Sequence, residues 1–195
     1  MAQGAETAGL LDELPPLSRL AIAYAPAAAR PLWTALLALD ARLSRAVEAA
    51  SSPLIAQLKL AWWRDRMRTA AIEWPRGEPL LAALTAFDGE RRALETLIDC
   101  WEAMIDEEPG EGAFERLVEA RGGAVAALAR LLSSRADPRA IAALARQWTR
   151  PGAQAATPRL PRALRPLLIL ANPPHPGEAG PRAIMRIVRL GLFGR

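Results

Sequence analysis

The sequence contains very few of the residues that most often carry catalytic or structural chemistry. Cys100 is its only cysteine, so no disulfide can form within the chain, which fits a reducing cytoplasm. His175 is its only histidine, which excludes metal sites built on several histidines, and its place in a proline-rich loop argues against a catalytic triad. Neither common glycine-rich phosphate-binding pattern is present. Enzyme chemistry would therefore rest on carboxylates, arginines or a bound metal.

Long hydrophobic runs are also missing. No stretch approaches the roughly 20 apolar residues that a helix needs to span a bilayer. The N-terminus lacks a basic region followed by an apolar run, so no signal peptide is expected. We predict a cytoplasmic protein, and peripheral contact with the inner membrane stays open as an alternative.

The residues that are abundant favour helices. Alanine, leucine, arginine and glutamate dominate, whereas β-branched residues are sparse. The chain has 195 residues, of which 51% are hydrophobic, and this is enough for one domain with a substantial core. We predict an all-α helical bundle, in which residues 1–16 form a flexible N-terminal leader and residues 17–195 form a single domain.

Proline, serine and glycine divide the chain into helical segments. Pro31 and Pro53 suit the first turn of a helix, and Ser52 suits the cap before it. Apolar residues recur between these breaks with a helical period. The predicted helices cover residues 17–26, 31–50, 53–74, 78–87, 90–106, 113–132, 138–148, 160–170 and 183–192.

The segment 53–74 is the most informative of these helices. Leucine, tryptophan and methionine occupy most of its surface, and its polar residues form a narrow strip through Gln57, Arg64, Asp65 and Arg68. A helix that is apolar on most sides is typical of a central helix surrounded by neighbours. We therefore predict that this helix lies at the centre of the bundle, with its tryptophans in the core.

Charge is divided unevenly along the chain. Residues 1–119 carry 12 basic and 19 acidic residues, whereas residues 120–195 carry 13 basic and 2 acidic residues. The basic C-terminal third could meet phosphates, an anionic membrane or an acidic protein partner, although no nucleic acid is expected. Alternatively, the two parts neutralise each other in the fold, and both interpretations stay open.

One cluster of carboxylates has the spacing of a helix face. Asp99, Glu102 and Asp106 recur at i, i+3 and i+7. Carboxylates so placed could hold Mg²⁺ through its water shell. We prefer a solvated helix face, because the apolar residues of this helix claim its opposite side.

Two groups of arginines could bind a ligand. Arg64 and Arg68 stand beside tryptophans and could grip a diphosphate or an acidic partner. The simpler interpretation is structural, with Asp65 pairing with Arg68 or Thr69 one turn on. A second group lies on one side of the last predicted helix. This helix either lies on a membrane or partner surface or caps the bundle. Its arginines are Arg182, Arg186 and Arg189.

Four segments of the sequence, taken in their order along the chain, form a recognisable pattern. They are residues 33–43 (WTALLALDARL), 53–65 (PLIAQLKLAWWRD), 78–84 (EPLLAAL) and 97–104 (LIDCWEAM). Together they resemble the squalene/phytoene synthase family. The likeness is greatest to a divergent, short branch that includes complex I assembly factors, and it covers about residues 17–148. It implies a truncated form of the all-α isoprenoid synthase fold.

The resemblance also implies two aspartate-rich motifs, through which active members bind a prenyl diphosphate with Mg²⁺. At the first motif this chain keeps only Glu48 as a carboxylate, and Arg45 puts a cation where the metal should lie. At the second, residues 140–150 contain no acidic residue. The resemblance therefore implies a non-catalytic binding or assembly protein that needs no cofactor.

Two alternatives stay open beside this hypothesis. A prenyltransferase acting on prenyl diphosphates would require Mg²⁺, with Glu48, Asp99 and Glu102 as its carboxylates. A protein that binds anionic lipid or isoprenoid at a membrane surface would use the basic last helix. In a binding protein, Arg45 joins Arg64 and Arg68 as a candidate contact to a diphosphate or a partner.

Overall fold

The computed structural model describes residues 9–105, 109–110, 112–150, 158–174 and 181–194, and only the backbone of residues 181–183. Its helices are α1 (Pro16–Ala23), α2 (Arg30–Glu48), α3 (Pro53–Arg68), α4 (Pro79–Leu84), α5 (Arg91–Glu102), α6 (Ala113–Leu131), α7 (Pro138–Thr149), α8 (Arg165–Ala171) and α9 (Pro181–Phe193). Residues 9–12 are also helical. No strand occurs among the described residues, so the prediction of an all-α protein is confirmed.

Proline lies in the first turn of seven of the described helices, α1 to α4 and α7 to α9. Its ring fixes φ near the helical value, and the first-turn amide that it lacks has no partner within a helix. Glu78 caps α4 by accepting from the Leu80 amide at 3.1 Å. Ser52 is the N-cap residue of α3 as predicted, but its side chain makes no cap hydrogen bond.

The central helix of the bundle is α2. Ten of its 19 residues are buried, and it contacts α1, α3, α4, α5 and α6. The prediction that α3 is central is wrong, because α3 packs mainly on α5 and α2 and leaves its other side open. The residues that α3 buries are Ala56, Leu60, Trp63 and Met67.

Helix α3 also ends earlier than predicted, at Arg68 rather than at Trp74. Thr69 has an extended backbone, and Ala71–Glu73 forms a separate 3-10 turn. The indole N–H of Trp74 donates to the carbonyl of Arg66 at 2.6 Å. A side chain thus satisfies a carbonyl that a longer helix would have bonded through its own backbone.

The described part of the predicted leader is packed on the domain. Leu10 and Leu14 are buried in the hydrophobic core. Glu13, which lies between them in the sequence, pairs with Arg42 of α2 at 3.0 Å. Residues 9–16 therefore belong to the folded domain rather than to a flexible leader, and residues 1–8 lie outside the described residues.

The C-terminal helices complete the same core. Helix α8 packs against α1 and α7, and α9 packs on α8 through Ile187 and Leu190. At Gly191 the backbone of α9 lies so close to the ring of Tyr24 that a Cβ atom there would come within 2.2 Å of it. Arg165 of α8 donates to the carbonyls of Gly191, at 3.2 Å, and of Leu192. These contacts fix the orientation of α9.

Candidate functional site

Arginines of α3 cover the acidic face of α5. Arg64 Nε lies 2.9 Å from Asp99 Oδ1, and the same guanidinium also pairs with Glu102. Arg68 Nε lies 2.7 Å from Glu95 Oε1, so the predicted pairing of Arg68 with Asp65 is wrong. The solvated-face prediction is only partly right. The Asp99 side chain is 51% exposed, but both Asp99 and Glu102 are held in an interhelical ion-pair network.

Glu48, the other predicted carboxylate, has a different environment. It is exposed at the end of α2 and accepts a hydrogen bond from the Ser44 hydroxyl at 2.5 Å. Arg45, three residues earlier, pairs with the Glu13 carboxylate at 3.3 Å. Within the described residues, no three carboxylate, cysteine or histidine side chains group in a way that could hold a metal ion. Asp106 lies outside those residues.

A groove with a volume of about 640 Å³ lies between the C-terminal half of α2 and the middle of α3. Its wall is formed by three cations, one carboxylate and five apolar residues, two of which are tryptophans. The lining residues are Arg42, Arg45, Ala46, Ala49, Leu58, Lys59, Trp62, Trp63 and Glu78. The groove therefore combines positive charge with apolar surface.

Carboxylates already hold two of the three cations. Arg42 lies 3.0 Å from Glu13 and 2.7 Å from Glu78, and Arg45 shares Glu13. The hydrogen bond from Arg42 is the main reason why the pKa of Glu13 lies below its ordinary value. No carboxylate partner of Lys59 occurs among residues 9–105 and the other described segments. Lys59 is thus the cation through which the groove can attract an acidic ligand.

Replacing Glu13 by glutamine is expected to lower stability at neutral pH and to flatten its decline in acid. Because the native pKa of Glu13 is lowered, its ion pair stabilises the protein above the unfolded pKa of 4.5. That contribution is lost as the pH falls below 4.5 through the lower native pKa. The expected effect at pH 7 is about 1 kcal/mol or less, because the pair is partly exposed. Urea unfolding at several pH values measures it.

The exposed Glu73 provides the control for this prediction, because Glu73→Gln makes the same chemical change at a site without a described partner. Its stability should follow the wild-type pH profile. Identical profiles for both variants would show that the ion pair of Glu13 does not stabilise the fold.

The side of α3 that faces away from α5 carries an exposed apolar strip, which consists of Leu54, Ile55, Leu58 and Trp62. Leu54 and Leu58 are each 63% exposed. Trp62 is 39% exposed, so the prediction of a core tryptophan is wrong there, while it is confirmed for Trp63. The two indole rings pack edge to face with centroids 4.8 Å apart. Trp62 therefore presents a ring that the fold holds in place.

A buried polar cluster at Asp40 was not predicted from the sequence. Both carboxylate oxygens of Asp40 accept from Arg121 of α6, at 3.1 and 3.0 Å, and one also accepts from the Trp101 indole at 2.9 Å. The Arg121 guanidinium lies over the rings of Trp101 and Trp148, 5.1 and 4.8 Å from their centroids. The cluster thus connects α2 to α5, α6 and α7. Both oxygens of the Asp40 carboxylate are used within it, so Asp40 is not available to bind a ligand.

Several arginines of the basic C-terminal third neutralise acidic residues from earlier in the chain. Arg121 pairs with Asp40, Arg130 lies 2.6 Å from Glu90, and Arg146 pairs with Glu115. These pairs support mutual neutralisation over that part of the chain. They all lie on α6 and α7, so they do not account for the arginines that follow.

The arginines of α9 have mixed environments. Arg186 donates to the carbonyl of Pro173 at 2.9 Å, and Arg189 is exposed. The side chain of Arg182 lies outside the described residues. The prediction that α9 caps the bundle is confirmed for one face, where Ile187 and Leu190 are buried.

Cys100 is half-buried, between α5 and α6. Burial still raises the pKa of its thiol, which keeps it protonated near neutral pH. The charge of Arg116 acts in the opposite direction but is outweighed by burial, so the thiol is not activated as a nucleophile.

Comparison with known proteins assigns no family. No family model, curated protein or solved structure matches the chain. The likeness to squalene/phytoene synthases rests on the four sequence segments, and membership of that family stays a prediction. Among the described residues, no helix is both long enough and apolar enough to cross a membrane.

Proposed function

We propose that this protein is a non-catalytic relative of the squalene/phytoene synthases, with a truncated isoprenoid-synthase-like fold, and that it acts as a binding or assembly protein. The ion pairing of Arg64 with Asp99 and Glu102 supports this most directly. Mg²⁺ would require these carboxylates as ligands, but the guanidinium already neutralises them and lies between α3 and α5.

The apolar strip of α3 provides the docking surface. Leu54, Leu58 and Trp62 are spaced at i, i+4 and i+8, so they form one row about 12 Å long on the helix. Such a row suits the apolar side of an amphipathic helix from a partner. Lys59, beside this row, favours a partner helix that carries carboxylates.

The openness of the surface favours a protein over a small amphiphile. Ligand pockets usually bury most of a small ligand, whereas Leu54 and Leu58 each leave 63% of their surface exposed. A partner helix can cover a surface of this shape without an enclosing cavity.

The test places a photo-crosslinking amino acid at position 58 in the full chain and, separately, at position 72. Ile72 is 90% exposed on the turn after α3 and serves as the matched control. We expect the same protein to be crosslinked from position 58 and not from position 72. With that protein purified, Leu58→Glu should weaken binding at least about tenfold, because it puts a charge into the apolar contact.

The control variant Ile72→Glu should bind like the wild type, and Lys59→Glu should weaken binding and reduce its dependence on salt. Equal affinity of Leu58→Glu and wild type would remove the apolar strip as the docking surface. Equal crosslinking from both positions would mean that the capture is non-specific.

Prenyl transfer is the second candidate function. The cations and the apolar wall of the groove favour it, since a prenyl diphosphate has an anionic head and an apolar tail. Incubation with Mg²⁺ and a long-chain prenyl diphosphate should release no pyrophosphate if the binding proposal is right. If pyrophosphate is released and Arg45→Glu abolishes that release, the protein is a prenyltransferase and the binding proposal is wrong.

A further inference from the structure

Helix α9 is apolar on the side that faces away from the protein. Four large apolar side chains of this helix are exposed, by 64% at Ile184, 66% at Met185, 51% at Leu192 and 63% at Phe193. With about 100° of rotation per residue, Met185 and Leu192 lie opposite the buried Ile187 and Leu190. Ile184 and Phe193 lie at the two sides of the helix, between these faces. Burying the inner face therefore leaves a second apolar face, which we call the outer face of α9.

The outer face does not result from a loosely attached helix. Gly191 lies against Tyr24, Arg165 donates to two carbonyls of the last turn, and Arg186 donates to the carbonyl of Pro173. These contacts come from α1, α8 and the segment after α8. They hold α9 in one orientation, so the same apolar side chains always point outwards.

The sequence of α9 and of the segments before it is strongly basic. Residues 181–194 contain three arginines and no acidic residue, and residues 158–195 contain seven arginines and one glutamate. Arg189 is exposed and lies beside the apolar side chains of the outer face. Its long side chain can keep the charged group in the lipid headgroup layer while its aliphatic part follows the apolar surface.

We propose that the outer face of α9 binds the surface of an anionic lipid bilayer, with the helix lying in the plane of the membrane. An apolar face flanked by arginines is the pattern of an interfacial helix, whose binding adds apolar burial to attraction by anionic lipids. The uniform positive charge favours a lipid surface over a second copy of this chain, because two such faces would repel each other. This surface is independent of the apolar strip on α3.

The test is sedimentation of the full chain with vesicles of equimolar phosphatidylglycerol and phosphatidylcholine. We expect the protein to bind these vesicles, to bind pure phosphatidylcholine vesicles at least about tenfold less well, and to lose affinity as salt is raised. The double variant Met185→Glu/Leu192→Glu should bind the anionic vesicles at least about tenfold less well, because it removes two apolar contacts and adds repulsion.

The matched control is Ile72→Glu, which makes the same change at an exposed residue on another surface and should bind like the wild type. Circular dichroism and thermal unfolding establish that each variant is folded. As a second measurement, a fluorophore at Leu192→Cys, in a Cys100→Ser background, should be quenched by brominated lipid, whereas one at Ile72→Cys should not.

Failure of the wild type to bind anionic vesicles at low salt would overturn the proposal. Equal binding by the double variant would also overturn it, as would a change in self-association of the variant without lipid. The crosslinking result at position 58 is unaffected by any of these outcomes, so the two proposals can fail separately.

Discussion

Replacing Asp40 by alanine is expected to lower the free energy of unfolding by about 3–5 kcal/mol. The change leaves the Arg121 guanidinium, whose side chain is only 13% exposed, without its carboxylate. It also removes the acceptor of the Trp101 indole N–H. An unpaired buried charge costs far more than a lost exposed ion pair, because water cannot solvate it. Urea unfolding followed by tryptophan fluorescence and circular dichroism measures the difference.

Two further variants separate the charge from the packing. Asp65→Ala removes an exposed carboxylate of α3 and should change stability by only about 0.5 kcal/mol. Asp40→Leu/Arg121→Met removes both charges and should recover much of the loss, since apolar residues can replace a buried pair. A double variant that is as unstable as Asp40→Ala would show that the loss comes from packing rather than from the unpaired arginine.

The cluster at Asp40 shows what the sequence could not supply. The helices themselves were predictable, because proline starts and apolar periodicity are local signals, and α2, α6 and α7 begin and end within a few residues of the prediction. The only local sign of the cluster is that Asp40, a charged residue, lies among the apolar residues of α2. Its partner Arg121 is 81 residues away in the chain, and no local pattern connects the two.

The candidate site shows the same difference between local features, which the sequence predicts, and contacts between distant residues, which it does not. Periodicity placed Asp99 and Glu102 correctly on one face of α5, but it could not show that α3 would bring Arg64 onto that face. It also placed α3 at the centre, because apolar residues surround that helix in the sequence. Burial depends on neighbours, and the described neighbours cover only one side of α3. The remaining apolar residues became the surface strip.

Replacing Trp33 by alanine is expected to destabilise the fold by about 3–5 kcal/mol, as large-to-small changes of buried aromatic residues do. Trp33 is fully buried in α2, and its indole N–H donates to the carbonyl of Ala163 at 2.8 Å. This contact joins the central helix to the turn that precedes α8, 130 residues later. If α8 and α9 belong to the same cooperative unit as α2, the whole unfolding transition should move without splitting.

Trp33→Phe keeps most of the ring volume but leaves the Ala163 carbonyl without its donor, so it should cost about 1–3 kcal/mol, less than the alanine variant. Trp62→Ala is the matched control, because the same side chain is removed from a position that is 39% exposed, and its effect should be much smaller. A second, separate transition in Trp33→Ala would mean that the C-terminal helices unfold independently. In that case the outer face of α9 would need to be tested for vesicle binding in a variant whose core is intact, because a detached α9 could bind lipid through Ile187 and Leu190 instead.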